Sequence, residues 1–435
     1  MKRVLIAGDP PSSSSGLAYL ALNLARYLIH RGDCQVGYLN LGHAAFNPEE
    51  AMNVHLELPW LLETSLALRH YHAPFLQREH LGLVVRAIES FQPDIVLAVH
   101  DPWLLSSLST LKQVTNSYAF GIYQTVEVPH YPESVITRGF SAKDGNIKEE
   151  RIVSLRDVWS SADIIIPVTN TARKSIAEYA PSVSDYIYPG VDTIHPDELR
   201  KSKREVFGVP DDALVFMSMG INRPRKALDR VIYAFAEATS GMDNVYLYMH
   251  TDPVFDGGYD LINLAKECSC NSKVLFDRNY TQRTGVQRRL LMERYLNADV
   301  YIGLPGGEGF GYGFVEALVY GKPLIYSNYG AHVELCDGKG IPVDPVTYTT
   351  AANSAIKWGV ADIHQAASAI QQLVRDESLR ASFTKPYRSF DLQWEEQGAR
   401  IVATFLDAVG NMEHRKVVFQ QKEKTTYREA LRRVI

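Results

Sequence analysis

The segment Pro305-Gly-Gly-Glu308-Gly-Phe-Gly-Tyr-Gly-Phe-Val-Glu316 carries two carboxylates eight positions apart in one glycine-rich stretch. Glycine lets the backbone approach a phosphate or a sugar closely and leaves its amides free to donate. The stretch follows the apolar run Val300–Leu304 and leads into a helical pattern ending near Gly321. Glu308 in the loop could hold sugar hydroxyls, and Glu316 in the first turns of the helix could accept from ribose hydroxyls. A merely solvated acid has no structural reason to lie among five glycines.

A second cluster is Met219-Gly-Ile-Asn-Arg-Pro-Arg-Lys-Ala-Leu-Asp229, after the apolar run Leu214–Met219. Arg223, Arg225 and Lys226 place three cations within four residues at a strand end, an anion site with charge-assisted donors. A third is Asp9-Pro-Pro-Ser-Ser-Ser-Ser-Gly16, between the run Val4–Ala7 and a helical repeat of Leu17, Leu20, Ala21, Leu24 and Leu28. Ser14 or Ser15 can cap that helix, whose amide-rich start would face a ligand. Val99-His100-Asp101-Pro-Trp103 and Tyr123-Gln-Thr-Val-Glu127-Val-Pro129 also follow strand candidates, so their polar tips gather at the same end of a sheet. For His100, an orienting role and a hydrogen-bonded structural role both stay open. His70, His72 and His250 read as structural.

The elements that must position these residues alternate short apolar runs with amphipathic stretches, the pattern of an α/β fold with parallel strands. Strand candidates in the first half are Val4–Ala7, Asp94–Val99, Tyr118–Ile122, Asp163–Val168 and Asp185–Tyr188. Around 192–212 a stretch with Pro196, the basic run Arg200-Lys-Ser-Lys-Arg204 and Pro210-Asp-Asp reads as a connection. A second series follows at Leu214–Met219, Val245–His250, Lys273–Phe276, Val300–Leu304 and Pro323–Ser327. This predicts two Rossmann-like domains facing across a cleft: 1–195, 196–395, and a helical segment 396–435 packing back at the junction. Residues 393–409 read as helical, with Trp394, Ile401, Val402 and Phe405 as the apolar set.

With 435 residues, 46 % hydrophobic and 22 % charged, the chain is long enough to bury sizeable cores and is not of disordered composition. A net charge of -5 excludes a protein that is basic all over, but the charge is uneven. Residues 411–435 hold seven Lys or Arg against three Glu, a tail that could meet an anionic partner. Four cysteines are too few for a disulfide scaffold, and Cys268-Ser-Cys270 lacks the further ligands of a zinc site. No metal site is expected. Without a secretory leader or an apolar run of membrane-spanning length, the chain reads as soluble and cytoplasmic. Gly8 to Gly16 does not form Gly-x-Gly-x-x-Gly, which argues against a nicotinamide-dependent dehydrogenase.

On these motifs the chain resembles the retaining glycosyltransferases of family 4, which have the GT-B fold and a Glu, seven residues, Glu signature matched by Glu308 and Glu316. Ser161-Ala-Asp-Ile-Ile-Ile-Pro-Val-Thr-Asn170 and Tyr188-Pro-Gly-Val-Asp192 are similar to segments that close the family's first domain. The resemblance implies a nucleotide diphosphate sugar, UDP- or GDP-linked, as co-substrate and no other cofactor. Arg225 and Lys226, with Arg223 two residues beyond the family's usual Arg position, would then bind the donor diphosphate. The stretch Gly309, Phe310, Gly311, Phe314, Val315 and Glu316 would line the donor, and Gly16 and Leu17 would match the first-domain loop that contacts donor phosphate and acceptor. Glu127, with His130 just beyond, falls where many members carry a histidine facing the donor sugar, and His100 is the other candidate there. The chain has no Asp-x-Asp, so positive side chains would neutralise the leaving group. The implied activity is metal-independent, front-face transfer of a sugar with retention. The acceptor could be a glycan, lipid, protein, metabolite or modified nucleic acid. The alternative is a GT-B protein that binds, hydrolyses or epimerises a nucleotide sugar without transfer.

Overall fold

Val4, Leu5, Ile6 and Ala7 are wholly buried, as a strand covered on both faces requires, and they form the middle of β1 (Lys2–Gly8). The computed structural model describes residues 1–13, 15–42, 45–49, 51, 59–74, 80–137, 140–142, 151–277, 280, 285–351, 355–384 and 392–409. Ser14 and the basic tail 411–435 lie outside them. The chain divides into two units. One comprises Met1–Thr125, His130–Gly190 and the described residues from Trp394 onward; the other comprises Val126–Pro129 and Val191–Gln393.

In the first unit β1 is followed by β2 (Cys34–Asn40), β3 (Arg69–His72), β4 (Ile95–Val99) and β5 (Ala119–Gln124). A short antiparallel pair, β6 (Phe140–Ala142) and β7 (Arg151–Val153), precedes β8 (Ile164–Pro167). The six-stranded parallel sheet has the order β3-β2-β1-β4-β5-β8, so connections diverge between β1 and β4, where open α/β sheets take ligands. Helix α1 (Gly16–Arg31) starts there. Its cap is Ser15, which accepts from Ala18 N–H, and Gly32 ends it in the left-handed region at φ 72°.

The second unit repeats the plan. Its strands are β9 (Leu214–Met219), β10 (Val245–His250), β11 (Val274–Phe276), β12 (Val300–Gly303), β13 (Leu324–Ser327) and β14 (Gly340–Val343). Their order is β11-β10-β9-β12-β13-β14, all parallel. Helices α2 (Leu228–Ala238), α3 (Arg288–Asn297), α4 (Tyr312–Val319) and α5 (Ile363–Arg375) cover it, with α2 and α5 sharing one core and α3 and α4 the other. An antiparallel hairpin, β15 (Pro345–Thr350) with β16 (Lys357–Ala361), follows β14. Among the described residues no helix is long and apolar enough to cross a membrane.

Helix α6 (Trp394–Val409) belongs to the first unit. It docks where glycines leave room: a Cβ on Gly121 would lie 1.6 Å from Phe405, and one on Gly190 2.5 Å from Trp394. The strand expected at Asp185–Tyr188 does not form. Only a single bridge, Ile165 to Val183, joins this stretch to the sheet edge, with Ile187 N–H donating to Pro167 O at 3.0 Å. The next donor along β8 after Ile165 would be residue 167, which is Pro167, and proline has no N–H to extend a ladder.

Candidate functional site

The sheet register explains why distant motifs meet. β9 and β12 are neighbours, with Phe216 opposite Val300 and Met217 opposite Tyr301, so the loops leaving their ends lie side by side. The loop after β9 carries Arg225 and Lys226, and the loop after β12 carries Glu308. Lys226 Nζ donates to Glu308 Oε1, and Arg225 Nη1 lies 3.5 Å from Glu308 Oε2. Arg225 also donates through Nη1 to the Gly307 carbonyl, and its Nη2 meets Glu127 Oε1 at 2.8 Å. Glu127 reaches this cluster because Val126–Pro129 belongs to the second unit, where its carbonyl packs against Gly307; a Cβ there would lie 2.5 Å away. Burial by itself would raise the Glu308 pKa, but the charges of Lys226 and Arg225 outweigh it and hold the carboxyl at about 2.

Backbone geometry fixes the two cations. Pro224 opens a 3-10 turn, Pro224–Lys226, and Ala227 closes it in the left-handed region at φ 50°. A non-glycine residue there is strained, and the strain sits directly beside Lys226. Arg223 turns elsewhere: its guanidinium lies 4.6 Å over the Phe255 ring and donates to the Asp256 carbonyl at 3.1 Å. Neighbouring Asn222, fully buried, bonds both Asp252 and Tyr259 and pins the same loop.

Gly311, at φ 78°, is the entry to α4, and among the described residues the N–H groups of Gly309 and Gly311 meet no protein acceptor. The amides of Phe314 and Val315 are committed to the Gly311 carbonyl and their side chains are buried, as is that of Phe310. Phe314 stacks on His332 with ring centroids 4.7 Å apart. His332 holds its Nε2 proton toward the Ser327 carbonyl at 3.1 Å, and burial brings its pKa down to about 4. Glu316 is buried and paired with Arg288 of α3, a residue no sequence motif singled out.

In the first unit the same register logic holds. Gly8 lies opposite Val99, so the next residues, Asp9 and His100, stand together at the ends of β1 and β4. His100 Nδ1 accepts from Asp101 N–H at 2.8 Å, and Nε2 faces Asp9 Oδ1 at 3.2 Å. Burial opposes the charged imidazole, but the Asp9 carboxylate outweighs it and raises the pKa. Ser15 Oγ donates to Asp9 Oδ2 at 2.6 Å, which ties the pair to the start of α1. Gly16 is exposed and Leu17 half-buried there. The His100 imidazole thus sits between the Asp101 amide and the Asp9 carboxylate. Asp9 is the residue that sequence reading passed over, although an acid at the first strand end was the available signal. Of the three histidines read as structural, His70 bonds the Ser65 carbonyl through Nε2, His72 the Gly42 carbonyl and His250 the buried Tyr248 hydroxyl.

Two six-stranded parallel sheets with flanking helices are the α/β architecture of the GT-B fold. Residues 200–389, within the second unit, match the family described as Glycosyl transferases group 1. The D-inositol 3-phosphate glycosyltransferase of Mycolicibacterium smegmatis (strain ATCC 700084 / mc(2)155) is 26 % identical over 264 residues. That match spans 59 % of this chain and 57 % of the relative's length. HepE of Anabaena, solved with UDP-glucose, superposes with a TM-score of 0.67 at 15 % identity, over 94 % of this chain and 100 % of its own. The sucrose-phosphate synthase of Thermosynechococcus elongatus gives a TM-score of 0.67 at 15 % identity, over 95 % of this chain and 100 % of its own. These structural likenesses establish the fold.

Proposed function

We propose that this protein is a cytoplasmic, retaining glycosyltransferase that moves a sugar from a UDP- or GDP-linked donor to an acceptor, without a metal ion. The reading is carried by one observation: Arg225 and Lys226 converge with Glu308 on the glycine-rich loop of a group 1 glycosyltransferase domain. Without ligand the two cations are neutralised by Glu308 and Glu127. A donor diphosphate takes over the cations, joined by the amides of Gly309 and Gly311. Glu308, released from Lys226, then accepts from hydroxyls of the donor sugar, and Glu316 from the ribose. UDP bound to solved proteins of the same fold, HepE among them, supports this choice of ligand.

In the transfer step the bond from the anomeric carbon to the diphosphate oxygen breaks. The acceptor oxygen bonds to the same face of that carbon, and the acceptor proton passes to the departing diphosphate. Arg225 and Lys226 stabilise the charge that grows on the leaving group, the largest contribution such a site makes. Gly16, Leu17 and the Asp9–His100 pair of the first unit serve the acceptor.

The test is titration of the protein with UDP, GDP and their glucose, galactose and mannose conjugates by calorimetry, followed by donor hydrolysis and acceptor screening. Binding of one diphosphate series, lost in Lys226→Ala, is the expected result. Failure of every nucleotide to bind would overturn the reading. Proton NMR of the product's anomeric signal decides retention.

A further inference from the structure

A glycine-rich loop does not hold its own conformation, because glycine has no side chain to pack and loses more backbone freedom on ordering than any other residue. The loop after β12 is held from outside, by the hairpin β15–β16. Gly359 N–H of β16 donates to the Gly306 carbonyl at 3.0 Å, and Gly306 N–H donates to the Arg225 carbonyl at 2.7 Å. The Trp358 side chain lies on Gly306, where a Cβ would come 2.7 Å from Trp358 Cβ and 3.3 Å from Cγ. Trp358 is itself bracketed. It pairs with Thr349 across the hairpin, the Tyr329 hydroxyl donates to the Lys357 carbonyl at 2.8 Å, and the Tyr329 ring packs against Gly359.

Arg225 is thereby gripped at both ends. Its carbonyl accepts from Gly306, and its guanidinium donates to the carbonyl of Gly307, the next residue of the same loop. A shift of Gly306 therefore moves both anchors of Arg225 together with the backbone that leads to Glu308. A cation serves a phosphate best when it is already in place, and a misplacement of about 1 Å can cost on the order of 10²-fold. We propose that Trp358 is a positioning residue for Arg225: by covering Gly306 it fixes the loop that aims the guanidinium at the donor diphosphate. This rests on the nucleotide-sugar reading above. It adds that the cation site depends on the hairpin β15–β16, an element outside both the cationic and the glycine-rich motif.

The experiment is a double-mutant cycle, read by calorimetry with the better-bound of UDP and GDP. The chains are the wild type, Trp358→Ala, Arg225→Ala and the double variant, with Trp358→Phe as the conservative replacement. Trp358→Ala should weaken binding by about threefold to tenfold, a part of what loss of a charge-assisted contact costs. Trp358→Phe, which keeps a ring over Gly306, should recover most of that loss. In the Arg225→Ala background Trp358→Ala should change affinity by less than about twofold, because a residue that acts through Arg225 is silent once Arg225 is gone. The same fold loss in both backgrounds, or an unchanged affinity in Trp358→Ala, would overturn the inference, since a merely structural role for Trp358 is blind to Arg225. If Trp358→Ala loses its far-UV circular dichroism, Trp358→Leu, which keeps apolar bulk in the hairpin, is read in the two backgrounds and decides in the same way. A wild type that binds neither UDP nor GDP removes the nucleotide reading and this inference with it. Nucleotide binding that Arg225→Ala leaves intact removes this inference and the phosphate role of Arg225, but not the nucleotide reading.

Discussion

Arg225 meets Glu127 at 2.8 Å across 98 positions of sequence, and the same guanidinium donates to the Gly307 carbonyl beside Glu308. Arg225 thus ties Val126–Pro129 to the glycine-rich loop. The cation expected to receive a diphosphate is already oriented, with a carboxylate at its outer side. A negative neighbour steadies the guanidinium but competes with any anion that binds it.

That competition has a measurable sign. Glu127→Gln keeps an acceptor for Arg225 Nη2 and removes the charge. At a partly exposed pair the change is worth about 0.5–1 kcal/mol, so UDP should bind about twofold to fivefold more tightly, read by calorimetry. Weaker binding would show that Glu127 acts by holding Arg225 in place.

Lys226→Ala removes the direct partner of Glu308 and one of the two cations facing the leaving group. Loss of one such contact should cost about 2–4 kcal/mol of transition-state stabilisation, roughly 10²–10³ in kcat. Donor hydrolysis followed by nucleotide release measures it, and full activity in the variant would remove the phosphate role.

Ala227 holds φ 50° directly after Lys226. Glycine adopts that conformation without the Cβ penalty, so Ala227→Gly should stabilise the protein by up to about 1 kcal/mol despite its greater unfolded-state entropy. The midpoint of urea unfolding should rise. If it falls, the methyl group contributes more by packing than the backbone loses by strain.

His332 is buried with a pKa lowered to about 4, so between roughly pH 6.5 and 4 the unfolded chain binds a proton that the folded chain does not. Its contribution to stability is whole above pH 6.5 and is lost as pH falls through that window. Glu308, held at about 2, keeps its contribution until pH falls below about 4.5, and loses it between there and 2. Thermal unfolding of His332→Gln should therefore show a shallower decline from pH 6.5 to 4 than the wild type. An unchanged slope would assign the decline to other groups, His250 first among them.

Much of the fold was legible because it is local. Leu214–Met219 and Val245–His250 are strands with the bounds their apolar runs predict, and Ser15 caps α1 as a short polar residue before a helical repeat should. The strand predicted at Asp185–Tyr188 does not form beside β8, whose Pro167 has no N–H to carry the ladder on from Ile165. Cys34–Asn40 was passed over because Gly37 interrupts its apolar run; that glycine exists for Phe91, whose ring would lie 2.7 Å from a Cβ. Only the folded chain supplies that reason.

The sequence by itself determined the chemistry on offer: two glutamates in a glycine-rich strand-to-helix loop, cations at another strand end, and an apolar pattern for two parallel sheets. Which of these groups meet was decided by tertiary structure alone. Lys226 and Glu308 are 82 positions apart and touch because β9 and β12 are adjacent, and Asp9 and His100 touch because β1 and β4 are. Arg288 reaches Glu316, and Arg223 turns to Phe255 instead of joining Arg225 and Lys226. Residue type and spacing encode what a side chain can do. Sheet order, set by long-range burial, selects its partner.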